Sequence, residues 1–200
     1  MASDTRALAD RLITKSSTRA INITRDAGLI LAGSFFVALL AQAQIPLQPV
    51  PVTLQTFGVL LIGAALGSRR GALTMLAYAI EGAAGLPVFA GGTSGIAKIV
   101  GPTGGYIIGF IFAGLLVGWL AERGWDRTPW MMALAMIAGN LVIYSFGASW
   151  LAYWLHSFSL ALHFGVYPFL IGDLLKVIAA AIALPLAHWL VNAVQLHKGK

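Results

Sequence analysis

Apolar residues in this chain run in long blocks, separated by short polar stretches and by segments rich in proline and glycine. Blocks of this length read as helices that cross a membrane, because about 20 apolar residues span the hydrocarbon core. They predict helices near 27–44, 53–67, 71–86, 105–121, 130–154 and 169–195. The expected fold is therefore all-α: a membrane bundle of about six transmembrane helices. Two interruptions are strongly signalled. Pro46, Pro49 and Pro51 end the first block and force an extended loop, since proline lacks an N–H and restricts the residue before it. The stretch from Pro87 to Gly105 is too rich in glycine for an ordinary helix.

Residues 1–26 are polar and read as a cytoplasmic arm, with 27–200 forming the transmembrane domain. Two readings of the arm stand side by side. Leu8, Leu12 and Ile13 can lie at the interface while Arg6, Arg11, Lys15 and Arg19 face headgroups, or the segment is a disordered basic tail. It lacks the short apolar core and small-residue cleavage site of a signal peptide.

Composition agrees with lipid as the main solvent. Of 200 residues, 58% are hydrophobic and 10% charged, and the mean hydropathy is +0.83. Soluble domains carry roughly a quarter charged residues. The net charge of +6 could point to nucleic acid, but its distribution does not. Placing the N terminus inside puts Arg6, Arg11, Lys15, Arg19, Arg25, Arg69, Arg70, Arg123, Arg127, Lys198 and Lys200 on the inner side. Lys98 is then the only cation in the outer loops, and Lys176 falls inside the last helix. This asymmetry predicts an N-in, C-in arrangement. Trp119, Trp125 and Trp130 fall near inner ends, and Trp150, Tyr153 and Trp154 near an outer end, as in interfacial belts. The chain has no cysteine, so disulfides and thiolate metal sites are excluded.

Ionisable groups at membrane depth are expensive unless paired or hydrated, so they mark candidate chemistry. Asp173 and Lys176, three apart on the last helix, share a face about 6 and 10 Å below its outer start. They read either as a self-satisfying ion pair or as a pair facing an outward cavity that receives a polar ligand. Glu81 reads more readily as a structural group, either partly hydrated near the glycine-rich loop or bonded to a neighbouring helix, than as a ligand contact. Asn140 and Tyr144 share a face near mid-depth and could reach a ligand, although polar contact between helices explains them as well. Lys98 reads as a solvated loop charge or as an attractor for an anionic solute. The two unusual loops carry no acidic residue and lie on the same side as the Asp173–Lys176 pair. That convergence predicts an outward-facing solute site. In the first helix, Gly28 with Ala32 and Ser34 with Ala38 place small residues at i, i+4, where another helix can approach closely. No P-loop is present for ATP hydrolysis, and His156, His163, His188 and His197 lack metal-ligand spacing. No cofactor or metal is expected. No internal repeat of the kind found in large inverted-repeat transporters is apparent.

Four strings now gain meaning from their order and spacing: 51–58 (Pro-Val-Thr-Leu-Gln-Thr-Phe-Gly), 85–92 (Gly-Leu-Pro-Val-Phe-Ala-Gly-Gly), 101–106 (Gly-Pro-Thr-Gly-Gly-Tyr) and 172–176 (Gly-Asp-Leu-Leu-Lys). Together they resemble the BioY family over residues 27–195. The resemblance implies a biotin-capturing S component of an energy-coupling-factor (ECF) transporter in the cytoplasmic membrane of a prokaryote. Its partners would be a transmembrane coupling subunit, cytoplasmic ATPase subunits and the lipid bilayer. It implies substrate-binding roles for Asp173 and Lys176, then for Thr53, Gln55 and Thr56, then for Gly91 and Gly92. It also implies that the small residues of the first helix, Gly28, Ala32, Ser34 and Ala38, contact the coupling subunit. The chemistry suits the vitamin: its ureido ring matches carboxylate, ammonium and amide groups, and Phe57, Phe89 and Tyr106 offer apolar walls.

Three rivals remain at this stage. A rhomboid-like string around Ser94 with His188 suggests an intramembrane protease. However, a nucleophile needs its base within hydrogen-bond reach, and roughly 25–30 Å of helical rise separates the two. A self-sufficient, proton-coupled vitamin carrier is the second rival. A structural subunit without a ligand is the third.

Overall fold

The computed structural model describes residues 7–12 and 18–198, with side chains described over 7–10 and 18–191. Arg6, Ile13, Lys15 and Lys200 lie outside the described residues, as do the side chains of Arg11, Leu12, His197 and Lys198. Among the described residues the architecture is all-α with one two-stranded ribbon. In chain order the elements are α1 (Leu8–Leu12), α2 (Arg19–Gln42), β1 (Gln44–Ile45), β2 (Val52–Thr53), α3 (Gln55–Leu66), α4 (Ser68–Ala83), α5 (Ile96–Val100), α6 (Gly104–Ala121), α7 (Pro129–Leu155), α8 (Phe158–Gly165) and α9 (Tyr167–Lys198).

Four helices, α2, α6, α7 and α9, are long and apolar enough to cross a membrane. Helix α3 is apolar but has 12 residues, and α4 has 16. These two meet at Gly67, whose N–H closes α3 onto Gly63 O at 3.0 Å. They pack on α6, which lies at the centre of the bundle with most of its residues buried. Close approach explains the glycines there. A Cβ on Gly63 would stand 2.8 Å from Gly114 O, so the backbones of α3 and α6 touch only because neither carries a side chain at this point. At the start of α4, Ser68 donates from its backbone N (2.7 Å) and its Oγ (3.0 Å) to Glu122 at the end of α6. This caps one helix with a residue from another.

Several boundaries differ from those expected, for identifiable reasons. Helix α2 starts at Arg19 rather than near 27, because polarity ends a hydrophobic block without ending a helix. Arg25 and Asp26 lie inside it, and Asp26 pairs with Arg70 of α4 at 3.0 Å. Arg70 also pairs with Asp10 of α1 at 3.0 Å. That ion pair draws α1 against the bundle, where Leu8 is buried in the core and not laid on a lipid interface. The turn α5 and helix α8 fall within segments expected to be loop. Helix α8 is fixed by Ser157, which accepts from Leu160 N at 3.3 Å, and is amphipathic, so it gives no block of membrane-crossing length. The first-helix stripe divides in two. Gly28 and Ala32 are exposed, whereas Ser34 and Ala38 are buried within the chain. Ser34 donates to Glu81 of α4, the interhelical bond that was one of the two structural readings of Glu81. Ser34 and Ala38 are therefore not available to a partner. Of the aromatics, Trp119, Trp130, Tyr153 and Trp154 are exposed, while Trp150 turns inward to donate to Gly101 O at 2.9 Å.

Candidate functional site

The two irregular segments meet at one end of the bundle. Strand β1 pairs antiparallel with β2, placing Gln44 opposite Thr53. This ribbon folds the proline-rich loop back over the helix ends. The glycine-rich loop after α4 is held by Gly95 N to Gly82 O (2.7 Å) and by Phe89 N to Thr93 O (3.0 Å). The loops touch at Gly91, where φ is +67° and a Cβ would come within 2.6 Å of Gln44 Nε2. Only glycine gives both that backbone angle and that proximity without strain.

Beneath the loops lies a cavity of about 270 Å³, slightly smaller than usual small-ligand pockets, which run from roughly 300 to 1,000 Å³. Thr53, Gln55, Thr56, Phe89, Gly91, Tyr106 and Tyr144 line it, as expected residues. Sequence reasoning missed Gln44, Val50, Thr103, Phe110 and Phe169, which also line it. Two of these were findable. Phe110 stands four residues after Tyr106 on α6, and Phe169 four before Asp173 on α9, so each shares a face with a predicted site residue. Lys98 stands at the rim, exposed.

The floor is a dense polar network. Lys176 Nζ donates to Thr53 O, Thr56 Oγ1 and Asp173 Oδ1, each at 2.8 Å. That uses all three ammonium protons. Asp173 Oδ1 also accepts from Thr56 Oγ1 at 3.2 Å, and Tyr144 OH donates to Oδ2. Gln55 Nε2 donates to Tyr78 OH at 2.5 Å, and Tyr78 donates to Val88 O of the glycine-rich loop at 2.9 Å. Thr53 Oγ1 donates to Gln55 Oε1 at 3.0 Å. One connected set of bonds therefore joins α9, α3, α4 and both loops.

Some expected placements differ. Asp173 and Lys176 do not line the cavity. Their side chains are 6% and 8% exposed, and Thr53, Thr56 and Tyr144 stand between them and the open space. The physical reason is that lining residues are bonded directly to the pair: Thr53 O and Thr56 Oγ1 take two ammonium protons, and Thr56 and Tyr144 donate to the carboxylate. Gly92 is exposed and lies outside the lining, as does Phe57, which packs into the core. Asn140 lies behind Tyr144, in a separate groove between α7, α8 and α9. Ser94 sits in the glycine-rich loop, whereas His188 Nε2 lies 2.5 Å from Asp126 Oδ2, in the loop between α6 and α7. The expected separation of serine from histidine is thus met.

Residues 10–193 match the model of the BioY family. The chain belongs to the BioY family. It is 43% identical over 156 residues to the biotin transporter BioY of Thermotoga maritima, covering 77% of this chain and 91% of that protein. It is 45% identical over 152 residues to the probable biotin transporter BioY of Pyrococcus horikoshii, covering 74% and 89%. A crystal structure of the S component for biotin from an ECF-type ABC transporter superposes with a TM-score of 0.69 at 26% identity. That match covers 85% of this chain and 93% of the other. Membership in this family places the cavity in a membrane-transport protein, where its location beneath two loops takes on meaning.

Proposed function

We propose that this chain captures biotin at the outer face of the cytoplasmic membrane of a prokaryote, as the substrate-binding component of an ECF-type transporter, and is not an enzyme. The observation that carries the reading is the cavity itself. A small, partly apolar chamber under two stiff loops has a floor of hydroxyl and amide groups tied to a buried ion pair. The BioY relatives bear the name of biotin transporters, and the matched crystal structure is that of a biotin S component.

Six crossings, α2, α3, α4, α6, α7 and α9, with both termini inside fit the charges. Arg69, Arg70, Arg123 and Arg127 lie at one end of the bundle, and Lys98 lies with the irregular loops at the other. The ureido ring of the ligand would meet Thr53, Gln55 and Thr56, with aromatic walls from Phe89, Tyr106, Phe110 and Phe169. Its carboxylate would face Lys98 at the rim. Asp173 and Lys176 act from beneath by orienting Thr53 and Thr56. The coupling partner would dock on the exposed stripe of α2 around Gly28 and Ala32, where a Cβ on Gly28 meets nothing within 4 Å. ATP hydrolysis would come from cytoplasmic ATPase subunits.

Titration of the purified protein with biotin and with other water-soluble vitamins tests this reading. Saturable binding of biotin alone is expected. Preference for another vitamin, or no binding by folded protein, overturns it. Uptake by vesicles holding only this protein, abolished when the proton gradient is collapsed, would favour the self-sufficient carrier instead.

A further inference from the structure

Two cavities meet back to back in this molecule, and one side chain borders both. The cavity under the loops holds about 270 Å³. Behind it, between α7, α8 and α9, lies a groove of about 580 Å³ whose walls include Ile137, Leu141, Leu162 and Leu174. Among the described residues, Tyr144 alone is common to the two linings. Its ring packs edge-on against Phe169, centroids 6.4 Å apart, and its hydroxyl is tethered to Asp173. Asp173 faces the groove side of this partition and does not line the front cavity. The groove is mostly apolar, yet Asn140 projects into it 8% exposed, with an amide oxygen that has no hydrogen-bond partner among the described residues. A buried amide oxygen left without a donor is costly, so the space beside it has the chemistry to receive a polar group.

We infer that Tyr144 is a partition that sets the depth of the binding cavity, and so the size of ligand it admits. Truncating the ring joins the front cavity to the groove and exposes Asn140 and Asp173 as additional polar contacts for a larger ligand. The size limit rests on the biotin reading of the front cavity; the partition itself does not.

The chain has no cysteine, so Asn140→Cys creates a unique thiol behind the wall. In proteoliposomes, a membrane-impermeant anionic methanethiosulfonate added outside labels this thiol slowly while Tyr144 is present. Adding Tyr144→Ala raises the rate at least tenfold, whereas Tyr144→Phe, which keeps the ring, leaves it unchanged. Should the alanine variant fail to fold, Tyr144→Val carries the same expectation. Fast labelling with Tyr144 in place, or equally slow labelling after truncation, overturns the partition. The size limit is read from the ratio of Kd for biotin alkylated on a ureido nitrogen to Kd for biotin itself. Tyr144→Ala lowers that ratio at least tenfold relative to wild type; an unchanged ratio overturns the size limit. If folded wild-type protein binds no biotin, the ligand reading and the size limit built on it both fall, while the labelling rates still decide the partition.

Discussion

Replacing Lys176 with methionine separates the structural worth of the buried ion pair from its effect on the ligand. Methionine keeps the length of the side chain and removes three hydrogen bonds, those to Thr53 O, Thr56 Oγ1 and Asp173 Oδ1. The Asp173 carboxylate then stays buried with Thr56 and Tyr144 as its remaining donors and no countercharge. Removing one member of a buried pair costs about 3–5 kcal/mol, because the other charge is left uncompensated. Adding Asp173→Asn removes that charge. The asparagine amide can still accept from Tyr144 and donate to Thr56, so the chief remaining defect is Thr53 O, an unpaired acceptor costing about 1–3 kcal/mol.

The expected order of stability is therefore wild type, then the Asp173→Asn/Lys176→Met double variant, then Lys176→Met alone. Thermal unfolding in detergent, followed by tryptophan fluorescence, reads this order directly. Biotin affinity should follow a different order. Both variants lose the ammonium that fixes Thr53 and Thr56, so both should bind at least tenfold more weakly, or about 1.4 kcal/mol. A Lys176→Met protein as stable as wild type, or more stable than the double variant, would refute the argument from the uncompensated charge. A double variant with wild-type affinity would refute the role of the pair in shaping the floor.

Three further outcomes follow from named contacts. Tyr78→Phe leaves Gln55 Nε2 and Val88 O without their shared partner, so it should cost about 1–3 kcal/mol of stability and weaken biotin binding, as thermal shift and titration will register. Gly63→Ala places a Cβ 2.8 Å from Gly114 O; it should lower the melting temperature, whereas Gly28→Ala, with nothing within 4 Å, should not. Lys98→Gln removes the cation at the rim, so stopped-flow measurements should show slower biotin association, with a weaker dependence on salt than wild type.

The helices were legible because lipid imposes a simple rule: apolar blocks of spanning length, with cations kept to one side. Where that rule is silent, helix boundaries depend on tertiary contacts. Arg25 and Asp26 hid the first turns of α2, because an ion pair with Arg70 is a tertiary event with no local signature. Helix α8, amphipathic and short, gives no block. The site divides in the same way. Prolines and glycines mark the two loops whatever packs around them, but it was the resemblance to the BioY family that singled out Thr53, Gln55, Thr56 and Gly91 within them. Asp173 and Lys176 stood out because charge inside an apolar block is rare. Which side of a wall each one occupies was not legible. That depends on the rotation of α9 against α3 and α7, and one residue turns a side chain by about 100°. The i, i+3 spacing put Asp173 and Lys176 on one face without saying what that face meets. Packing then set Thr56 and Tyr144 in front of them, and the same two charges that looked like the mouth of a site became its foundation.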